Sequence, residues 1–150
     1  MSITIAIGTD HRGFDYKNKL IKLKATADIV INWIDVGCTT SERCDYPPFA
    51  KAVVEKIRSG QAQLGILLCG SGVGMAIAAN RFAGIYAALV WNKEVAIQSR
   101  ADDSSNILVI PADYISEHQL IQMVQAWLVT QPKGGRYAQR IAQIDTWGGI

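Results

Sequence analysis

The stretch "GILLCGSGVGMAIAAN", residues 65–80, passes from an apolar run through a glycine-rich turn into a segment of small residues. The apolar run has the length and composition of a buried strand. Glycines at positions 70, 72 and 74 permit a tight turn and let backbone amides approach a ligand. A strand, a turn and a helix in this order are typical of an α/β fold with parallel strands.

Apolar runs of strand length recur along the chain, with helical patterns between them. The five predicted strands are residues 3–8, 27–37, 64–70, 84–90 and 106–111. Because strands and helices alternate, we predict a parallel sheet with helices on both faces, a three-layer α/β/α sandwich. The length is ordinary for a single domain over residues 1–150.

Three helices have clear sequence signals. One begins near Pro47 and Pro48, repeats apolar residues every four positions, and stops at Gly60. A second opens at Ser116, because "SEHQ" has the form of a capping box, and its apolar stripe is Leu120, Val124, Trp127 and Leu128. The last helix follows Gly134 and Gly135 and places Arg136 and Arg140 one turn apart.

Composition limits the functional classes. The chain is 49% hydrophobic and 19% charged with a formal net charge of +2, which is typical of a soluble globular protein. No stretch has the length of a membrane span, the start lacks the form of a signal peptide, and the lysines form no basic stripe. We therefore expect a cytoplasmic protein with small-molecule partners, bound to neither membrane nor nucleic acid.

The three cysteines, Cys38, Cys44 and Cys69, cannot all pair within one chain. None has the spacing of a zinc site, so free thiols in a reducing compartment are expected. Cys69 differs from the others because it joins a strand to a glycine turn. Either it is a small apolar filler, as buried cysteines usually are, or a helix N-terminus lowers the pKa of its thiol and makes it a base or nucleophile.

The glycine turn excludes three common phosphate and nucleotide motifs. No Gly-Lys-Ser/Thr follows it, its spacing is not that of a dinucleotide fingerprint, and Met75 occupies the place of a cysteine phosphatase's arginine. Polar residues also follow the other predicted strands. Asp10 and His11 are a candidate pair for proton transfer or hydroxyl binding, whereas Tyr46 could equally pack on the core or contact a ligand.

Four segments together resemble the ribose-5-phosphate isomerase B family, which includes the galactose-6-phosphate isomerase subunits. They are "IAIGTDHRGF", "DVGCTTSERCDYPPFA", "GILLCGSGVGMAIAANRFAGIYAALV" and "GGRYAQRI". The resemblance implies a Rossmann-like fold and homodimers, often paired into tetramers, whose active sites borrow residues from the partner subunit. It also implies a sugar or sugar-phosphate substrate and no metal or organic cofactor.

The resemblance also implies roles for single residues. Cys69 is expected to move a proton between C1 and C2 through a cis-enediolate, with Ser71 handling protons between the two oxygens. The residues expected to contact the substrate are Asp10, His11, Tyr46, Gly70, Gly72, Gly74, Asn80 and Asp103, and the arginines expected to hold its phosphate are Arg136 and Arg140.

The chain departs from the family pattern in "RADDSSNIL", residues 100–108, and at two later positions. Asp102 replaces the histidine assigned to ring opening, which Asp102, His11 or Asp10 could then perform. Asp113 replaces a phosphate-binding arginine, and Tyr137 replaces a histidine. We expect an aldose-ketose isomerase, by default of ribose 5-phosphate and ribulose 5-phosphate. The alternatives are a different or unphosphorylated aldose, or a non-catalytic sugar-phosphate-binding homologue.

Overall fold

The computed structural model describes residues 1–150. The strands are β1 (Ser2–Thr9), β2 (Ala25–Thr26), β3 (Ile29–Asp35), β4 (Leu64–Cys69), β5 (Ala87–Leu89) and β6 (Ile107–Pro111). The helices are α1 (Phe14–Leu20), α2 (Pro47–Arg58), α3 (Val73–Ala79), α4 (Lys93–Ala101), α5 (Glu117–Val129) and α6 (Gly135–Asp145). A short 3₁₀ turn, His11–Gly13, precedes α1.

All six strands lie in one sheet, in the order β2-β3-β1-β4-β6-β5. Every neighbouring pair is parallel except β2 and β3, which form an antiparallel hairpin. The sheet therefore has one strand more than predicted. The difference arises because the chain reverses at Ala27, whose φ of 47° is left-handed, so the predicted strand 27–37 starts only at Ile29.

Two separate cores confirm the three-layer arrangement. On one face of the sheet, residues of α1, α4 and α5 pack against alternate residues of β1, β4 and β6. On the other face, α2 and α3 pack against the intervening residues. All six residues of β4 are buried, as expected for a central parallel strand covered on both sides.

The start of α5 follows the sequence prediction closely. Ser116 caps the helix, and both hydrogen bonds of a capping box with Gln119 are present. The predicted stripe is buried, and the Trp127 indole Nε1 donates to Ser105 Oγ at 2.8 Å. By contrast, α6 has no buried residue, so it packs only loosely on its own chain. None of the helices has the length and apolarity needed to cross a membrane.

The parallel strands give the sheet two distinct edges. At the carboxyl edge, β1, β3, β4 and β6 end in the loops that follow them. At the amino edge, the same strands begin, and helices α3 and α4 end there because each runs back across the sheet. Because β6 has five residues and strands rise about 3.3 Å per residue, the edges lie about 17 Å apart.

A buried cation fixes the loop after β3. The Lys17 side chain is 3% exposed, and its Nζ donates to Asp35 Oδ2 at 2.9 Å and to the Cys38 carbonyl at 2.7 Å. The ammonium thus joins α1 to the end of β3 and to the first turn of the following loop. These bonds matter for the site because that loop continues to Tyr46.

We expect Lys17→Ala to lower the free energy of unfolding by about 2–3 kcal/mol, since it leaves Asp35 and the Cys38 carbonyl without their cation. Urea unfolding followed by circular dichroism measures the change. Lys51→Ala is the matched control, because Lys51 is exposed and pairs with Glu55 only at 3.8 Å, so it should cost less than about 0.5 kcal/mol. Equal losses in the two variants would contradict a structural role for Lys17.

Candidate functional site

Asp10 and His11 occupy the carboxyl edge directly after β1. The Asp10 carboxylate is 6% exposed and accepts a hydrogen bond from the Arg12 amide at 2.9 Å. His11 is half-buried, and its Nδ1 accepts a hydrogen bond from the backbone amide of Cys44 at 3.3 Å. This bond places the proton of a neutral His11 imidazole on Nε2, which is therefore a hydrogen-bond donor.

The glycine turn after β4 is shaped by close contacts. Gly72 has a φ of 76°, a left-handed conformation that favours glycine. Gly74 faces the Tyr46 ring so closely that any Cβ at position 74 would overlap the phenol. Tyr46 therefore packs on the turn itself, so both of its predicted roles remain compatible with its position.

The Cys69 thiol lies at the centre of this edge and is 5% exposed. Burial raises its pKa above the ordinary value, and the charge of Asp10 adds to the rise, while backbone amides of Met75, Gly72 and Ser71 oppose it. The net shift is upward. The amides at the start of α3 therefore lower the pKa of Cys69, as one of the two interpretations of the sequence requires, but loss of solvation outweighs them.

An ion pair borders the glycine turn. The Arg12 guanidinium pairs with the Asp113 carboxylate, and both groups lie within 3 Å of where a Gly70 Cβ would be. The loop after β6 is fixed in place by backbone bonds, since the amides of Ala112 and Asp113 donate to the carbonyls of Cys69 and Gly70 at 2.9 and 3.0 Å. Asp113 thus neutralises the Arg12 cation beside the glycine turn. Ser71 is exposed beside it, and its Oγ accepts the Val73 amide at 3.3 Å.

Three predicted site residues lie at the amino edge instead. The Asn80 side chain bonds to the backbone of Ala87 in both directions, at 2.8 and 2.9 Å, and so joins the end of α3 to β5. Asp102 follows α4, and Asp103 lines a cavity of about 420 Å³ together with Asn80 and residues of α6. Within one chain, none of the three lies beside Cys69.

The predicted arginines belong to a cationic cluster at this amino edge. Arg136, Arg140 and Lys133 surround the Tyr137 ring, at 5.3, 5.4 and 4.7 Å from its centroid. Lys133 Nζ also pairs with Asp102 Oδ1 at 2.7 Å, which raises the pKa of Lys133. Neither arginine has a carboxylate within 4 Å. The cluster therefore carries uncompensated positive charge.

The structure thus divides the predicted residues into two groups. The carboxyl-edge group is Asp10, His11, Tyr46, Cys69, Gly70, Ser71, Gly72 and Gly74. The amino-edge group is Asn80, Asp102, Asp103, Arg136 and Arg140. No group of three or more His, Cys, Asp or Glu side chains is arranged to hold a metal ion.

Sequence reasoning missed two residues that pair with predicted positions. Arg12 directly follows Asp10 and His11, and its charge was a visible signal that its loop faces a polar site. Lys133 directly precedes Gly134. No sequence pattern near it indicates that it pairs with Asp102, which lies 31 residues earlier in the chain. Both pairs depend on long-range packing.

Comparisons with known proteins agree with this architecture. The family model described as Ribose/Galactose Isomerase matches residues 5–144. Ribose-5-phosphate isomerase B of Escherichia coli (strain K12) is 38% identical over 140 residues, which cover 93% of each chain.

Solved structures extend the agreement to three dimensions. A ribose 5-phosphate isomerase from Thermotoga maritima is 40% identical with a TM-score of 0.88, covering 96% of this chain and 98% of its own. Ribose-5-phosphate isomerase B from Mycoplasma genitalium with bound ribulose-5-phosphate is 33% identical with a TM-score of 0.86, covering 96% and 95%. The sandwich is therefore Rossmann-like, and the chain is a sugar-phosphate isomerase that belongs to the ribose-5-phosphate isomerase B family.

Proposed function

We propose that the chain interconverts ribose 5-phosphate and ribulose 5-phosphate, with Cys69 as the base. The observation that carries this proposal is the buried Cys69 thiol, which faces the backbone amides of Ser71, Gly72 and Met75. A base beside fixed amide donors is what removal of a weakly acidic C–H proton requires. Two relatives support the choice of substrate. One is named ribose-5-phosphate isomerase B, and the structure of the other contains bound ribulose-5-phosphate.

The proposed reaction passes a single proton between neighbouring carbons. The Cys69 thiolate removes the C2 proton of the open-chain aldose, the electron pair moves onto the carbonyl oxygen, and a cis-enediolate forms. The amides of the glycine turn stabilise the negative oxygen without rearranging. Ser71 moves the hydroxyl proton between the two oxygens, and the Cys69 thiol returns its proton to C1 to give the ketose.

For ring opening we propose His11 rather than Asp102. Asp102 is engaged by the Lys133 ammonium at 2.7 Å. The Asp10 carboxylate already accepts a hydrogen bond from the Arg12 amide. His11 directs Nε2–H away from Cys44, so it can pass that proton to the ring oxygen of the cyclic sugar and regain one from the C1 hydroxyl, which becomes the carbonyl.

We further propose that a second copy of the chain supplies the phosphate-binding arginines, so that sites form across a homodimer. Cys69 and the arginine cluster lie at opposite edges of one sheet, farther apart than a pentose phosphate can reach. The loosely packed α6 and the exposed apolar Val73 and Ile77 on α3 support burial against another subunit. Two such dimers could pair into a tetramer.

A different or unphosphorylated sugar is the second candidate. Asp113 favours it, because this carboxylate lies near Gly70 and neutralises Arg12. A carboxylate there would accept hydrogen bonds from sugar hydroxyls and would repel a phosphate. The two candidates differ in whether binding depends on the arginine cluster.

We expect Cys69→Ala to lower exchange of the substrate C2 proton with solvent deuterium by about 10³-fold, since general base catalysis contributes about that much. NMR measures the exchange across ribose, allose and galactose, each with and without a terminal phosphate. Circular dichroism and ligand affinity should stay close to wild type. An unchanged rate in the variant would rule out Cys69 as the base, and exchange with free sugars alone would favour the second candidate.

The raised pKa of Cys69 predicts a pH dependence. Below that pKa the thiol is mostly protonated, so the thiolate fraction and kcat/KM should rise with pH from 7 to 9. Initial rates measured at constant ionic strength give the profile. A flat profile over this range would show that the thiolate is already formed at neutral pH.

Mixing two inactive variants tests the shared site. Cys69→Ala and an Arg136→Ala/Arg140→Ala double variant should each have little activity with the phosphosugar. After denaturation and refolding together, about half of the dimers are mixed and each holds one intact site, so about a quarter of wild-type activity should return. A site within a single chain predicts no recovery. Each variant refolded alone is the control.

A further inference from the structure

The other two cysteines lie in a loop that reaches the proposed site. This segment, residues 36–46 and here named the cysteine loop, joins β3 to α2. The amide of Cys38 donates to the Thr9 carbonyl at 3.1 Å, and the amide of Cys44 donates to His11 Nδ1 at 3.3 Å. Since Thr9 and His11 are only two residues apart, both cysteines are held against the same short segment.

The two thiols are also neighbours. Cys38 and Cys44 line one surface cavity of about 360 Å³, and the Cys44 thiol is near enough to raise the pKa of Cys38. Cys38 is buried whereas Cys44 is half-buried. Burial, with a smaller effect of the neighbouring Cys44, raises the pKa of Cys38 to about 11, so Cys38 stays protonated at neutral pH. Cys44 is the thiol that solvent reaches first.

We propose that Cys38 and Cys44 are a site of reversible oxidation, at which a peroxide converts the two thiols into a disulfide that closes the cysteine loop. Neither cysteine has a part in the proposed proton transfer. Five residues separate them, so the ring that they close is short, and the intervening residues 39–43 are exposed. These exposed residues can adjust without disturbing the sheet or the bond from Lys17 to the Cys38 carbonyl.

The chemistry balances in two steps. Peroxide transfers one oxygen to the Cys44 sulfur, giving a sulfenic acid and one water. The Cys38 sulfur then attacks the Cys44 sulfur, an S–S bond forms as the S–O bond breaks, and the Cys38 proton leaves with the hydroxyl group as a second water. The two thiols lose two electrons, and a dithiol reductant reverses the change.

Oxidation should act on His11. The Cys44 amide holds Nδ1 of this imidazole, and Tyr46, two residues further on, packs on Gly74 of the glycine turn. Drawing Cys44 toward Cys38 strains both contacts, so the disulfide should weaken the orientation of His11. The effect on turnover rests on the proposed isomerase function, whereas the disulfide itself does not.

Two measurements test the site without using activity. Cys69→Ala, which removes the third thiol, is treated with hydrogen peroxide, and the peptides are analysed by mass spectrometry. A Cys38–Cys44 crosslink with loss of two mass units is expected, and dithiothreitol should reverse it. In long-range ¹H–¹⁵N spectra the His11 Nδ1 resonance should shift on oxidation, whereas that of His118, the other histidine and exposed on α5, should not.

The wild-type enzyme tests the consequence for turnover. Mild peroxide should lower the rate of phosphosugar isomerisation by at least about tenfold, because a misoriented acid loses part of its catalytic contribution. Dithiothreitol should restore the rate. Cys38→Ser should keep the untreated rate and resist peroxide, and Cys38→Ala serves if the serine variant folds poorly.

Each outcome decides a separate point. Absence of the crosslink, or an unmoved His11 resonance in the crosslinked protein, would overturn the proposal. Equal inactivation of Cys38→Ser and wild type would overturn it too, since the loss would then not require the disulfide. If the reduced wild type turns over no sugar, the isomerase assignment fails, while the mass and NMR results still decide the oxidation site.

Discussion

Burial of the Cys69 thiol at the end of β4 is the constraint on which the rest of the site depends. β4 is the central strand and is buried throughout, so its last side chain meets solvent only through the glycine turn. Burial raises the pKa of the thiol, and the amides of Ser71, Gly72 and Met75 oppose this effect. The parallel neighbours β1 and β6 end beside it, which places Asp10, His11 and the Arg12–Asp113 pair around a single group.

The same parallel topology explains why one chain holds only part of the predicted residue set. A crossover helix that starts at the carboxyl edge must end at the amino edge, and this carries Asn80 and Asp102 away from the thiol. The charges follow the same division. At the carboxyl edge Asp113 cancels Arg12, whereas at the amino edge Arg136 and Arg140 stay without a carboxylate partner. The Cys69 thiol and the unpaired arginines are therefore separated along the strand direction.

Local features could be predicted from the sequence, and features set by distant contacts could not. The buried stripe of α5, its capping box at Ser116 and the turn after Cys69 depend on patterns within a few residues. The hairpin at Ala27 was missed because a left-handed alanine has no sequence signal. The pairing of Asp113 with Arg12 spans 101 residues, and the direction of the Cys69 pKa shift depends on how much solvent the fold removes.

The contact between Tyr46 and Gly74 limits how this site can change during evolution. The phenol occupies the place of a side chain at position 74, so a larger residue there requires that position 46 first become smaller. Loss of the phenol would itself remove its packing on the glycine turn. Arg12 and Asp113 are partly exposed at the rim and can change one at a time. Sugar preference can therefore change more readily through Arg12 and Asp113 than through Tyr46 and Gly74.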